Sequence, residues 1–172
     1  MHIGIIGAGQ LGRMMAISGI PLGMRFTMYD RSAAVPGAAV ADLVIGEFDD
    51  LRRLRQFARR VELVTFDWEN VPVAAARAVA AITPVRPAPR ALAVGQDRVA
   101  EKKLFTRLGI PVSPWLPVDD RRGLARAIEA LGVPGILKTR RLGYDGKGQA
   151  RVRRAADADA AWQRLKGQPL VY

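Results

Sequence analysis

Three isoleucines, Ile3, Ile5 and Ile6, open the chain and the run breaks at Gly7. A short apolar run bounded by glycine predicts a buried strand, and the segment after it predicts a helix over about 10–18. The stretch "MRFTMYD" reads as a second strand ending on Asp30, and "ADLVIG" as a short third one. In "LRRLRQFARRV" the residues Leu51, Leu54, Ala58 and Val61 share one face at helical spacing, with arginines turned outward. "ELVTFDWENVP" predicts a fourth strand running into a turn over 69–72; the helix "AAARAVAAI" and a short strand "TPVRP" follow. Strand and helix alternate throughout, which predicts a parallel sheet covered on both faces.

From about residue 87 the pattern changes. "PAPRALAVGQ" is expected to be a proline-bearing connector. "DRVAEKKLFTRLG" predicts a helix with Asp97 as its N-cap and Gly109 as its stop. "IPVSPWLPV" reads as an extended link. "DDRRGLARAIEALG" carries Leu124, Ala127, Ile128 and Leu131 at i, i+3, i+4 and i+7 and ends at Gly132. A strand "GILKTRR", a glycine loop "LGYDGKGQ" and a strand "ARVRR" follow, then a helix "DADAAWQRLKG" and a strand opening in "PLVY". The expected organisation is an α/β domain over 1–90 and an α+β segment over 91–172.

Composition narrows the chemistry. The 172 residues are 49% hydrophobic and 25% charged, ordinary for a chain with a real core. The absence of cysteine removes disulfides, thiolate metal sites and a cysteine nucleophile, and it suits the cytoplasm. The one histidine, His2, lies at the start of the first strand, which removes histidine clusters and a Ser/His/Asp triad. No apolar run approaches membrane-spanning length, and the start lacks the basic flank of a signal peptide. The net charge of +11 comes from 22 arginines and 5 lysines spread along the helices, with no aromatic-interleaved basic strand. A solvated arginine-rich surface with some phosphate-binding positions is therefore expected, rather than nucleic-acid or membrane binding.

Two glycine loops carry the candidate chemistry. Gly7, Gly9 and Gly12 match G-x-G-x-x-G on a strand-to-helix turn, where backbone amides can approach an anion. Asp30 stands where a dinucleotide binder places its ribose acceptor, so a nicotinamide cofactor is one reading of this turn and simple packing another. Gln10 adds a polar amide that would suit a small phosphorylated ligand. The second loop, with Gly143, Gly146 and Gly148, lies between two strands and lacks the spacing and context of a P-loop. It predicts a hairpin flap able to close over a polyphosphate, with Lys147 at its tip, Lys138 on the strand leading in and Arg98 on the preceding helix as cations. Tyr144 and Asp145 at such a tip contribute little to folding, which favours a site role.

The segments "GIIGAGQLGRMM", "TFDWENVP", "QDRVAEKKLFTRLGIPVSPW" and "KTRRLGYDGKGQ" occur in order. Together they resemble the N-terminal part of the N5-carboxyaminoimidazole ribonucleotide synthetase family, ATP-grasp ligases of purine biosynthesis. The resemblance implies a Rossmann-like pre-ATP-grasp domain that binds no dinucleotide, followed by the first part of an ATP-grasp domain, cut short here. It implies ATP-dependent carboxylation of 5-aminoimidazole ribonucleotide by bicarbonate through a carboxyphosphate, with release of ADP and phosphate. Carried over by position, Arg98, Lys138 and the flap residues Gly143, Tyr144, Asp145, Gly146, Lys147, Gly148 and Gln149 are ATP-binding. Gln10, Leu11, Asp67, Trp68, Glu69 and Tyr144 are substrate-binding, and Asp145 and Lys147 are catalytic. Two departures stand out: Asp67 replaces the usual glutamate, and Lys147 stands where arginine is also common. Members of the family are longer, and the Mg²⁺ ligands are expected in the part absent here, as is a homodimer of the whole enzyme; the 172 residues alone are expected to be inactive. The other readings are a related ATP-grasp enzyme such as the formate-dependent formyltransferase, an NAD-dependent oxidoreductase, and a non-catalytic binding module.

Overall fold

Four apolar runs of the first half pair side by side as a parallel sheet in the order β3-β2-β1-β4. They are β1 (His2–Ile6), β2 (Arg25–Asp30), β3 (Asp42–Ile45) and β4 (Leu63–Phe66). The structure, a computed structural model, describes residues 1–143, 146–165 and 167–172. The chain divides into two compact units, Met1–Ala93 and Val94–Tyr172, against an expected division at 90/91.

Neighbouring residues of the central strands face opposite sides. Ile6 and Tyr29 join a core with Leu54, Phe57, Val64 and Val79, under the helices α2 (Leu51–Ala58) and α3 (Val73–Ala80). Ile5 and Met28 join Ala16 and Phe26 under α1 (Gln10–Gly19). Burial on both faces is why these strands read as continuous apolar runs instead of alternating ones. Asp50 caps α2 by accepting from the Arg53 N–H at 2.9 Å. Tyr29 donates its hydroxyl to the Glu47 carbonyl at 2.8 Å. Burial first, then the Asp50 carboxylate, push its pKa up to about 12, so the donor is kept at any physiological pH.

Two expectations for this half need correction. The proline-bearing connector contains a helix, α4 (Pro89–Gly95), with Leu92 buried in the core. Pro89 occupies the first helical position, where its missing N–H costs nothing, so the proline starts a helix within the expected connector. The short strand at 83–87 reduces to a single parallel bridge between Val64 and Val85, since Pro84 and Pro87 on either side lack the N–H a ladder needs.

The second unit is an antiparallel sheet in the order β5-β8-β6-β7 with helices beside it. Its strands are β5 (Pro117–Val118), β6 (Gly135–Thr139), β7 (Gln149–Val152) and β8 (Leu170–Val171). The helices are α5 (Arg98–Arg107), α6 (Arg121–Leu131) and α7 (Ala158–Arg164). Leu124, Ala127, Leu137, Val152 and Leu170 form its core. Asp97 caps α5 as its sequence position predicts, and Asp120 caps α6. Tyr172 closes one end, donating its hydroxyl to the Gly132 carbonyl at 2.8 Å.

The first core tests directly. Leu54→Ala removes a fully buried side chain and is expected to destabilise the first unit by about 2–5 kcal/mol. Urea unfolding should show a lower midpoint at an unchanged slope; an unmoved midpoint would contradict the packing described.

Candidate functional site: two glycine turns

The turn after β1 is closed by the chain's own acceptors. Gly7 N–H donates to the Tyr29 carbonyl at 2.8 Å, and Ala8 N–H to Asp30 Oδ2 at 2.9 Å. Gly9 and Gly12 N–H both donate to Asp67 Oδ2, at 2.7 and 3.3 Å. Gly7 has φ +97°, and a Cβ there would overlap Asp67 Oδ1, so both backbone and space require glycine. Asp30, the expected ribose acceptor of a dinucleotide site, instead braces the turn: its Oδ1 accepts from Arg31 N–H at 2.7 Å.

Asp67, Trp68 and Glu69 follow the C-terminal end of β4, and the glycine turn follows that of the adjacent β1. With β2 and β3 on the other side of β1, this is the topological switch point, where open parallel sheets form their ligand crevice. Gln10 and Leu11 lie on the surface at the start of α1, and Glu69 is exposed. Trp68 is half-buried, its ring 5.7 Å from Phe48 at the margin of the core. Burial raises the pKa of Asp67; the Gly9 and Gly12 amides oppose the rise and the Asp30 charge adds to it.

In the second unit the hairpin between β6 and β7 is anchored at its base. Thr139 N–H donates to the Gly148 carbonyl at 2.8 Å. Arg98 spans the opening of the loop, Nε donating to the Thr139 carbonyl and Nη2 to that of Gly143, each at 3.1 Å. Thr139 Oγ1 is buried and has no hydrogen-bond partner among the described residues. A Cβ at Gly148 would come within 2.6 Å of that oxygen, so the neck of the hairpin admits glycine only. Lys147 and Gln149 are exposed. Tyr144 and Asp145 lie outside the described residues.

Lys138 stands on the sheet face opposite the buried side chains of Leu137 and Thr139. It lines a cavity of about 380 Å³ together with Lys102, Trp115, Ile136, Val171 and Tyr172. Lys102 and Trp115 were not among the residues picked out by sequence. Lys102 follows Arg98 by four residues on α5, a spacing that places both on one helix face and could have revealed it. An apolar wall with two ammonium groups suits a flat ring attached to an anionic tail.

Comparison with known proteins identifies the family. The family model of the ribonucleotide synthetase preATP-grasp domain matches residues 1–96, and that of the ATP-grasp domain matches residues 103–172. The chain belongs to the ribonucleotide synthetase preATP-grasp family. The N5-carboxyaminoimidazole ribonucleotide synthase of Pseudomonas aeruginosa is 41% identical over 171 residues, 99% of this chain and 48% of that protein. The crystal structure of the N5-carboxyaminoimidazole ribonucleotide synthetase from Thermus thermophilus superposes with a TM-score of 0.90 at 44% identity, over 98% of this chain and 45% of that one. That of the N5-carboxyaminoimidazole synthase from Aspergillus clavatus, in complex with ADP and 5-aminoimidazole ribonucleotide, superposes at 0.84 and 28% identity, over 99% and 45%. The chain spans about half the length of the curated relatives it matches.

In this family member the hairpin base is held by one further carboxylate. Asp97 accepts from Arg140 Nη2 at 2.8 Å and Nε at 3.2 Å while capping α5 through Val99 and Ala100 N–H. Burial alone would raise its pKa, but the Arg140 bonds and the two capping amides outweigh burial and hold it below the usual 3.8. Its contribution to stability is therefore fully present above that value and is lost as pH falls through the depressed one. Asp97→Ala is expected to cost roughly 2–3 kcal/mol at neutral pH. Unfolding measured from about pH 5 down to about pH 3 should narrow the gap between variant and wild type; a gap independent of pH would contradict the ion pair.

Proposed function

We propose that this chain supplies the sugar-phosphate and ATP-phosphate binding elements of an ATP-dependent carbon–nitrogen ligase. That enzyme carboxylates 5-aminoimidazole ribonucleotide with bicarbonate to N5-carboxyaminoimidazole ribonucleotide in purine biosynthesis. The observation that carries this reading is the contrast between the two glycine turns. The strand–helix turn already has internal acceptors on Gly7, Ala8, Gly9 and Gly12, which argues against a dinucleotide. The strand–strand hairpin follows directly on a strand bearing Lys138 beside a cavity. The solved relative bound to ADP and 5-aminoimidazole ribonucleotide supports the same assignment.

In this reading ATP lies with its phosphates under the hairpin, Lys138 and Lys147 offsetting their charge and Arg98 fixing the loop and approaching the nucleotide. Gly143, Gly146, Gly148 and Gln149 supply backbone and amide donors, and Tyr144 contacts ligand. A bicarbonate oxygen takes the γ-phosphoryl group, giving carboxyphosphate and ADP. The exocyclic amine then attacks the carboxyl carbon, phosphate leaves, and Asp145 accepts the amine proton. Gln10, Leu11, Trp68 and Glu69 face the ribonucleotide, with Asp67 beside them. Mg²⁺ on the phosphates, a homodimer of the whole enzyme and the cytoplasm as its compartment belong to the same proposal. Among the described residues no group of three or more His, Asp or Glu side chains could hold a metal ion, so no step here is routed through it. No described helix is long and apolar enough to cross a membrane.

Amide-resolved NMR titrations test the assignment. ATP should shift residues 138 and 146–149, 5-aminoimidazole ribonucleotide should shift residues 10, 11 and 68, and NAD should shift neither group. Lys138→Ala should weaken ATP binding at least about tenfold, the loss of one charge-assisted contact. NAD shifting residues 7–12 would replace this reading with the oxidoreductase. The 172 residues alone are expected to release no ADP when given ATP, bicarbonate and the ribonucleotide; release would refute the division of labour proposed.

A further inference from the structure

We infer that Asp67 is a positioning and specificity-determining residue: its carboxylate stands where a G-x-G-x-x-G turn would otherwise receive a ligand phosphate. It thereby closes that turn to free phosphates and sets Gln10 and Leu11 against the end of β4. The second half of this statement rests on the reading of Gln10 and Leu11 as substrate contacts; the first rests on geometry alone.

Asp67 Oδ2 takes the Gly9 and Gly12 amides together, at 2.7 and 3.3 Å, which are the donors that face an anion at the start of α1. The stereochemistry agrees independently. A Cβ at Gly7 would overlap Oδ1, and Cβ atoms at Gly9 and Gly12 would lie 3.0 and 3.1 Å from Oδ2. The three glycines that make the sequence look like a dinucleotide fingerprint are thus spaced around an internal carboxylate. Asp30 Oδ2, on the Ala8 amide, places a second negative charge on the same turn. An incoming pyrophosphate would meet two carboxylates and find its donors already used.

Residue 67 has little freedom to withdraw. Its own N–H donates to the Ile6 carbonyl at 3.1 Å, and the next side chain, Trp68, is packed on Phe48. The carboxylate therefore links the turn after β1 to the turn after β4 across 58 residues of sequence. The two segments read as facing the ribonucleotide are joined by a side chain that need not touch it.

Hydrogen exchange and inorganic pyrophosphate titration of the 172-residue chain, wild type against Asp67→Ala and Asp67→Asn, test this. In wild type the Gly9 and Gly12 amides should be protected and unmoved by pyrophosphate or NAD. In Asp67→Ala their exchange should quicken at least about tenfold, the loss of one hydrogen bond each. Ile5 and Val64 should keep their protection, showing the sheet intact, and pyrophosphate should now shift the Gly9 and Gly12 resonances. Asp67→Asn keeps the size and one acceptor oxygen, so it should fold and hold most of the protection even where the alanine variant does not fold. Unchanged protection in Asp67→Ala would overturn the inference, as would pyrophosphate shifting the wild-type turn. Lost protection with no gain of pyrophosphate binding would overturn it too, since the carboxylate would then only cap the helix. Failure of the wild type to bind 5-aminoimidazole ribonucleotide would sink the functional proposal and leave these amide results standing.

Discussion

Backbone amides at the C-terminal edge of a parallel sheet must find acceptors, and in the first unit the acceptors are carboxylates of the chain itself. Asp67 serves Gly9 and Gly12, and Asp30 serves Ala8. The rest of that edge follows from this. The turn after β1 has to lack side chains, the end of β4 has to reach it, and Trp68 has to stay against Phe48 for the carboxylate to be aimed. Burial raises the pKa of this half-buried carboxylate, and the Gly9 and Gly12 N–H bonds compensate part of that desolvation.

The second unit uses the opposite arrangement. Its glycine hairpin joins two strands, and what is satisfied is the base of the loop: Arg98 on the Thr139 and Gly143 carbonyls, and Asp97 on Arg140. A loop held at its neck by a guanidinium and an ion pair can present its remaining amides to a ligand without losing its place on the sheet. Among the described residues, the first turn is filled by a side chain, whereas side chains hold the second at its base.

Charge along the chain fits this division. Many of the arginines behind the net charge of +11 lie on exposed helix surfaces, as on α2, where Arg52, Arg53 and Arg55 face solvent. Arg98 holds the loop at Gly143, Lys147 lies within the loop, and Lys102 and Lys138 line the cavity beside the strand.

Periodicity, caps and stops in the sequence determined the elements, their order and the covered parallel sheet, because those depend on residues within a turn or two of one another. Asp97 as an N-cap, and the buried runs at Ile5 and Met28, were legible for that reason. The helix at 89–95 was not, because proline signals a break until its place in the first turn is known. The glycine turns, Lys138 and Arg98 were legible as candidates from residue type and spacing. Only the tertiary structure decided what each turn holds. Asp67 meets Gly9 through space across β1 and β4, and Lys102 and Trp115 meet Lys138 at one cavity. No local pattern encodes such meetings, because they are set by which strands pair and how far each side chain then reaches.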